Sequence, residues 1–71
     1  MQRTSVSSSN IASIGYDTKQ QILEVEFLKG SVYQYSSVPE SLYTGLMSAD
    51  SHGNYLDTYI KKGKFPYQQI Q

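Results

Sequence analysis

Lysines interleaved with aromatic rings are the residues of this 71-residue sequence with the most chemistry to offer. Lys61-Lys62-Gly63-Lys64 follows Tyr59 and leads into Phe65 and Tyr67. Ammonium groups pair with phosphates and rings stack on bases, which is what a single-stranded nucleic acid requires of a binding surface. The same lysines at the end of a helix would also oppose its dipole as ordinary solvated charges, and both readings stand on the residues alone. A second aromatic feature, Tyr33-Gln34-Tyr35, can serve either as sheet core or as a stacking platform.

Catalytic chemistry finds little support. His52 is the sole histidine and sits in Ala49-Asp50-Ser51-His52-Gly53. Asp, Ser and His are the types of a hydrolytic triad, but triad members meet across a fold, and no glycine-flanked nucleophile turn is present. An interhelix turn with a capping serine is the simpler reading. Glu24 and Glu26 share one strand face, as solvated strand glutamates commonly do. One histidine and scattered carboxylates make no metal site, and the five glycines are too widely spaced for a phosphate loop. The expectation is a non-enzymatic protein with no cofactor and no metal.

Composition bounds the rest. A chain of 71 residues has room for one domain near the lower limit of a self-sufficient core, so nearly every large apolar side chain must be buried. Without cysteine, neither disulfides nor thiolate metal sites can supplement that core. No apolar run approaches a membrane span, and the expectation is a cytoplasmic protein without a membrane partner. Six basic residues balance six acidic ones, which argues against coating nucleic acid by bulk electrostatics and leaves a local patch as the alternative.

The elements that must position these residues are legible from periodicity. Residues 1–9 are polar and serine-rich and are expected as a flexible or edge segment, with a single domain over 10–71. A first strand runs from Asn10 to Tyr16, with Gly15 as a bulge or a place of close backbone approach. Ile22 to Phe27 and Ser31 to Ser36 alternate as the strands of a hairpin. A loop of Leu28-Lys29-Gly30 needs a positive φ only at Gly30, whereas a two-residue loop would demand one of Lys29. That register sets Phe27 opposite Ser31, Val25 opposite Tyr33 and Leu23 opposite Tyr35, so both tyrosines join the apolar face and Glu24, Glu26 and Gln34 point to water.

Beyond Ser36 the period lengthens to that of helices. Pro39 suits a first helical position and Glu40 its dipole; Leu42, Tyr43, Leu46 and Met47 form an apolar stripe in which Gly45 implies close approach to the sheet. Ser51 can cap a second helix whose inner face is Tyr55, Leu56, Tyr59 and Ile60, and Gly63 ends it. The tail from Phe65 to Ile70 is apolar enough to pack back, with a short edge strand open to it. The expected fold is α+β, a three-stranded antiparallel meander with two helices packed on one face.

These residues resemble a known family. Ser8-Ser9-Asn10-Ile11, Ser13-Ile14-Gly15-Tyr16-Asp17, Leu23-Glu24-Val25-Glu26-Phe27, Gly30 with Val32-Tyr33-Gln34-Tyr35, Val38-Pro39, and Ala49, Ser51, Gly53 and Tyr55 leading to Ile60 are similar to the KTSC domain. Its tyrosine-any-tyrosine mark is matched by Tyr33, Gln34 and Tyr35. The resemblance implies a small bacterial or phage domain, also found as a C-terminal extension of some lysyl-tRNA synthetases, and through that company an RNA-binding role. RNA is accordingly the leading expected partner, held by Lys61, Lys62 and Lys64 with Tyr59, Phe65 and Tyr67. The competing expectation is a protein-interaction module that docks on a larger complex or pairs through a sheet edge, as a monomer or weak homodimer.

Overall fold

The computed structural model describes all 71 residues. Five antiparallel strands form one sheet in chain order: β1 (Arg3–Ser5), β2 (Ile11–Asp17), β3 (Ile22–Phe27), β4 (Val32–Tyr35) and β5 (Tyr67–Gln69). Between β4 and β5 the chain builds α1 (Glu40–Ser48) and α2 (His52–Tyr55), the latter continued by a π-helical segment, Leu56–Lys61. The α+β class and the helix pair agree with the reading of the sequence. The strand count is larger than the expected three-stranded meander: the sheet has five strands, β5 falling in the tail where a short edge strand was left open and β1 in the segment expected as flexible or edge. Both additions are three-residue edge strands with every side chain exposed, so neither carries the apolar alternation by which strands are recognised.

The central hairpin has the register that Gly30 demands. Leu23 faces Tyr35 and Val25 faces Tyr33, and the Phe27 N–H donates to the Ser31 carbonyl at 2.9 Å. Gly30, at φ +103°, donates its N–H to the Phe27 carbonyl and takes the backbone region closed to side chains with a Cβ. Gly15 serves close approach: a Cβ there would stand 2.6 Å from the Gln2 carbonyl oxygen, so β1 can lie directly against β2. The irregularity in β2 falls instead between Ile11 and Ser13.

One core lies between the sheet and the helices. Ile14, Leu23, Val25 and Tyr35 from the strands meet Leu46, Leu56 and Ile60 from the helices, and all are buried. Gly45 does not approach the sheet as expected; its missing side chain leaves room for the Tyr55 ring of α2. Pro39 stands just before α1, at its N-cap, and the Ser51 hydroxyl accepts the Asn54 N–H at 3.2 Å to cap α2. No helix is long and apolar enough to cross a membrane.

The other face of the sheet corrects a second expectation. Glu24 and Gln34 do share it, but Glu24 is 6% exposed and does not point to water. Arg3 of β1 reaches across Gly15 to pair with the Glu24 carboxylate at 2.5 Å, and Gln34 Nε2 donates to its other oxygen at 2.8 Å. Ser13 donates to Glu26 at 2.8 Å. The carboxylate is buried because the edge strand, invisible to periodicity, supplies the cation that covers it.

Candidate functional site

An open groove of about 820 Å³ runs between the β3–β4 hairpin, the start of β5 and the end of the second helix. Its volume falls in the range of small-ligand sites. Five aromatic residues line it, Phe27, Tyr33, Tyr35, Phe65 and Tyr67, together with Lys29, Lys61 and Lys64, and no carboxylate does.

Four of the rings, Phe27, Tyr33, Tyr35 and Tyr67, form a continuous cluster. Tyr33 meets Phe27 edge-on at 5.8 Å between centroids and lies 6.4 Å from Tyr35 at an interplanar angle of 20°. Tyr67 sits at 6.0 Å from Tyr33 and 5.9 Å from Tyr35, because β5 pairs with β4 with Tyr67 directly opposite Tyr35. Phe27 and Tyr35 are buried and form the floor, Tyr33 is half-buried, and Tyr67 is 67% exposed. Burial, reinforced by the neighbouring phenols of Tyr33 and Tyr67, pushes the Tyr35 pKa up to about 12. The Tyr33 hydroxyl donates to Gln69 Oε1 at 3.2 Å, which ties the cluster to β5.

The lysines arrive from two directions. Lys29 stands in the hairpin loop next to Gly30. Lys61 closes the π-helical segment, and its ammonium lies over the Phe27 ring at 5.3 Å. The wider π turn is marked by the Lys62 N–H, which donates to the Asp57 carbonyl five residues back at 3.3 Å. Both Leu56 and Ile60 stay buried under this turn, while Lys61 faces the groove. The chain then reverses at Lys64, which holds φ +61°. Gly63 was expected to end the helix by its conformational freedom, but the left-handed residue is Lys64. Gly63 is small for another reason: the Phe65 ring packs against it, and a Cβ would meet that ring at 2.7 Å.

The residues singled out from the sequence therefore divide. Lys61, Lys64, Phe65 and Tyr67 come together in the groove, and Tyr33 and Tyr35 join them there, uniting two features that were read separately. Lys62 and Tyr59 lie outside it; the Tyr59 ring packs on Tyr55 at 4.5 Å. Phe27, Lys29 and Asn10 also line the groove and were not singled out as site residues. Nothing local marks them, since their place depends on the second helix ending over the hairpin loop. Asp50, Ser51 and His52 do not converge on the groove; His52 Nδ1 is bonded at 2.8 Å to the Leu46 carbonyl near the end of α1.

Fold and groove together define a class: a small α+β meander with its chemistry gathered where a helix end meets a hairpin. Within that class, residues 7–65 match the KTSC domain, and the chain belongs to the KTSC domain family. It is similar to a KTSC domain protein of Yersinia pestis, whose crystal structure superposes with a TM-score of 0.90 at 48% identity, covering 99% of this chain and 97% of that one. An uncharacterized protein of Stutzerimonas stutzeri (strain A1501) is 41% identical over 70 residues, 99% of each chain. A lysine–tRNA ligase of Nostoc punctiforme is 42% identical over 62 residues, which are 87% of this chain and only 11% of the ligase.

Proposed function

We propose that the groove binds a short unpaired segment of RNA and that the protein is a non-enzymatic binding module. The observation that carries this reading is the convergence of five aromatic rings and three lysines, without a carboxylate, on one groove. Rings alone would suit any planar or apolar ligand, and a cation would be repelled by the lysines. An anion with planar groups satisfies both. An A-form duplex hides its base faces and would meet only the lysines, so an unpaired strand fits the rings better. The relationship to part of a lysine–tRNA ligase supports RNA over other polyanions, by domain company and not by a shared site.

Electrostatics set the expected behaviour. The chain has zero formal net charge, so attraction is confined to the groove and affinity should be modest. Titration of the protein with short single-stranded RNA over a salt series, followed by backbone amide NMR shifts, tests the proposal. Shifts should map to the hairpin loop, the end of the second helix and the start of β5. The logarithm of affinity should fall against the logarithm of salt with a slope of about 2, as for three phosphates neutralised on a single strand. Shifts confined to the Arg3–Glu24 face, or an absence of binding at low salt, would refute the groove assignment.

A further inference from the structure

We propose that Phe27 is a positioning residue of the groove: it stacks on no base and holds the Lys61 ammonium where a phosphate is received. This rests on the reading of the groove as an RNA site, and it separates two roles among the rings.

The roles follow from exposure. Tyr67 is 67% exposed and has a face to offer a base. Phe27 is 8% exposed, with the Tyr33 ring at right angles to it 5.8 Å away and the Lys61 ammonium over its ring at 5.3 Å from the centroid. Little of the ring is left for stacking. What it presents to the groove is the negative face of its π-system, which attracts the charge above it.

Of the three groove lysines, only Lys61 lies over a ring. It has no carboxylate to fix it: both ion pairs of the chain belong to Arg3, and Asp57, four residues before Lys61, is in neither. A lysine free in solvent spreads over many rotamers, and an anion that captures it must stop that motion. The ring holds the ammonium in one place beforehand. Being uncharged, it also leaves the positive charge to the ligand, which a carboxylate in the same position would cancel. Lys61 is itself exposed, so a phosphate can reach the ammonium from the side away from the ring. The gain is bounded by the strength of the contact. A cation–π pair at an exposed site raises the population of the held position about two- to fivefold, and the affinity for a phosphate received there rises by the same factor.

Titrations with short single-stranded RNA and with inorganic tripolyphosphate, which has phosphates and no bases, test this by backbone amide NMR shifts at low salt. Phe27→Leu, which keeps an apolar side chain in the core, should weaken both ligands about two- to fivefold and leave the salt slope of RNA binding unchanged, since no charge is lost. Lys61→Gln should lower that slope by about 0.7, one phosphate fewer, and in its background Phe27→Leu should cost nothing further. Lys61→Arg, which keeps both the charge and the ring contact, should retain the dependence on Phe27. Circular dichroism melts establish that the variants fold. A measurement that needs no variant is the ring-current shift of the Lys61 ε-methylene protons, which should lie upfield in the parent protein and stay there when tripolyphosphate is bound. Loss of that shift on binding, an effect of Phe27→Leu on RNA alone, or an effect that survives in Lys61→Gln would overturn the positioning role and leave the groove reading intact. Binding of tripolyphosphate without RNA would overturn the RNA reading and leave the role of Phe27 standing. Binding of neither would overturn both.

Discussion

The Lys61 ammonium lies 5.3 Å from the centroid of the Phe27 ring, so the last turn of the second helix is tied to the hairpin across the mouth of the groove. The π-helical segment accounts for this placement. Its extra residue per turn keeps Ile60 in the core and presents Lys61 to the hairpin, next to Lys64 at the chain reversal. A charge that would otherwise extend into solvent is thereby held beside the aromatic cluster.

The first prediction separates the groove lysines from the rest of the basic cluster. Substituting Lys29, Lys61 and Lys64 by glutamine should abolish RNA binding, whereas Lys62→Gln, outside the groove, should leave it unchanged. The cation–π contact of Lys61 is worth about 0.5–1 kcal/mol at an exposed site, so the triple variant should melt only a few degrees lower. Melting curves and anisotropy on the same samples check both halves. Loss of binding in Lys62→Gln would move the site to the opposite side of the helix end.

The second concerns Tyr35 and Tyr33, which share a face but differ in burial. Tyr35 is 4% exposed and packs in the main core, so Tyr35→Ala should destabilise by about 3–5 kcal/mol, enough to unfold most of a domain this small. Tyr33 is half-buried at the groove wall, and its alanine variant should cost about half as much and remain folded. Urea unfolding followed by circular dichroism measures the difference. Tyr33→Ala should also lose RNA affinity, which distinguishes a ring that a ligand can touch from one that only supports it.

The third addresses the covered carboxylate on the other face. Arg3→Met removes the cation from Glu24 and leaves a charge that only Gln34 contacts, with an expected cost of about 1–3 kcal/mol. The double variant Arg3→Met with Glu24→Met should be less destabilised than Arg3→Met alone, because the stranded charge is gone. A double-mutant cycle by chemical denaturation reads the coupling. Additive effects would show that β1 is held by its backbone bonds and not by this pair.

The fourth is a pH dependence. The Tyr35 phenol is raised to about 12 in the folded chain, against an ordinary value near 10, first by burial and then by Tyr33 and Tyr67. Above pH 10 the unfolded chain releases this proton while the folded chain keeps it, so the unfolded state binds fewer protons and stability falls as pH rises. The contribution of Tyr35 should be fully present below about pH 10 and be lost progressively up to about pH 12. Ultraviolet titration of the tyrosines should show one phenol ionising last, and Tyr35→Phe should remove that late step.

How far the sequence determines this protein can be judged from particular residues. The hairpin register was legible because Gly30 admits one loop and Lys29 excludes another, a local backbone constraint that needs no knowledge of the rest of the chain. The same locality made the helix pair, the Ser51 cap and the tyrosine face readable. The sequence left both edge segments open and the tertiary structure decided that each pairs as a strand, since three exposed residues have no periodicity and take their hydrogen bonds from a neighbouring strand. It also decided that Glu24 is buried, because Arg3 covers it from 21 residues away. The groove belongs to this second group. Lys61, Lys64, Phe65 and Tyr67 were legible as one cluster because they are neighbours in the chain, but packing on a shared core is what brings Lys29 of the hairpin loop and Phe27, Tyr33 and Tyr35 of the hairpin to them, and no spacing in the chain records that meeting. Local stereochemistry is written in adjacent residues, whereas a site assembled from several elements exists only once hydrophobic burial has brought those elements into contact.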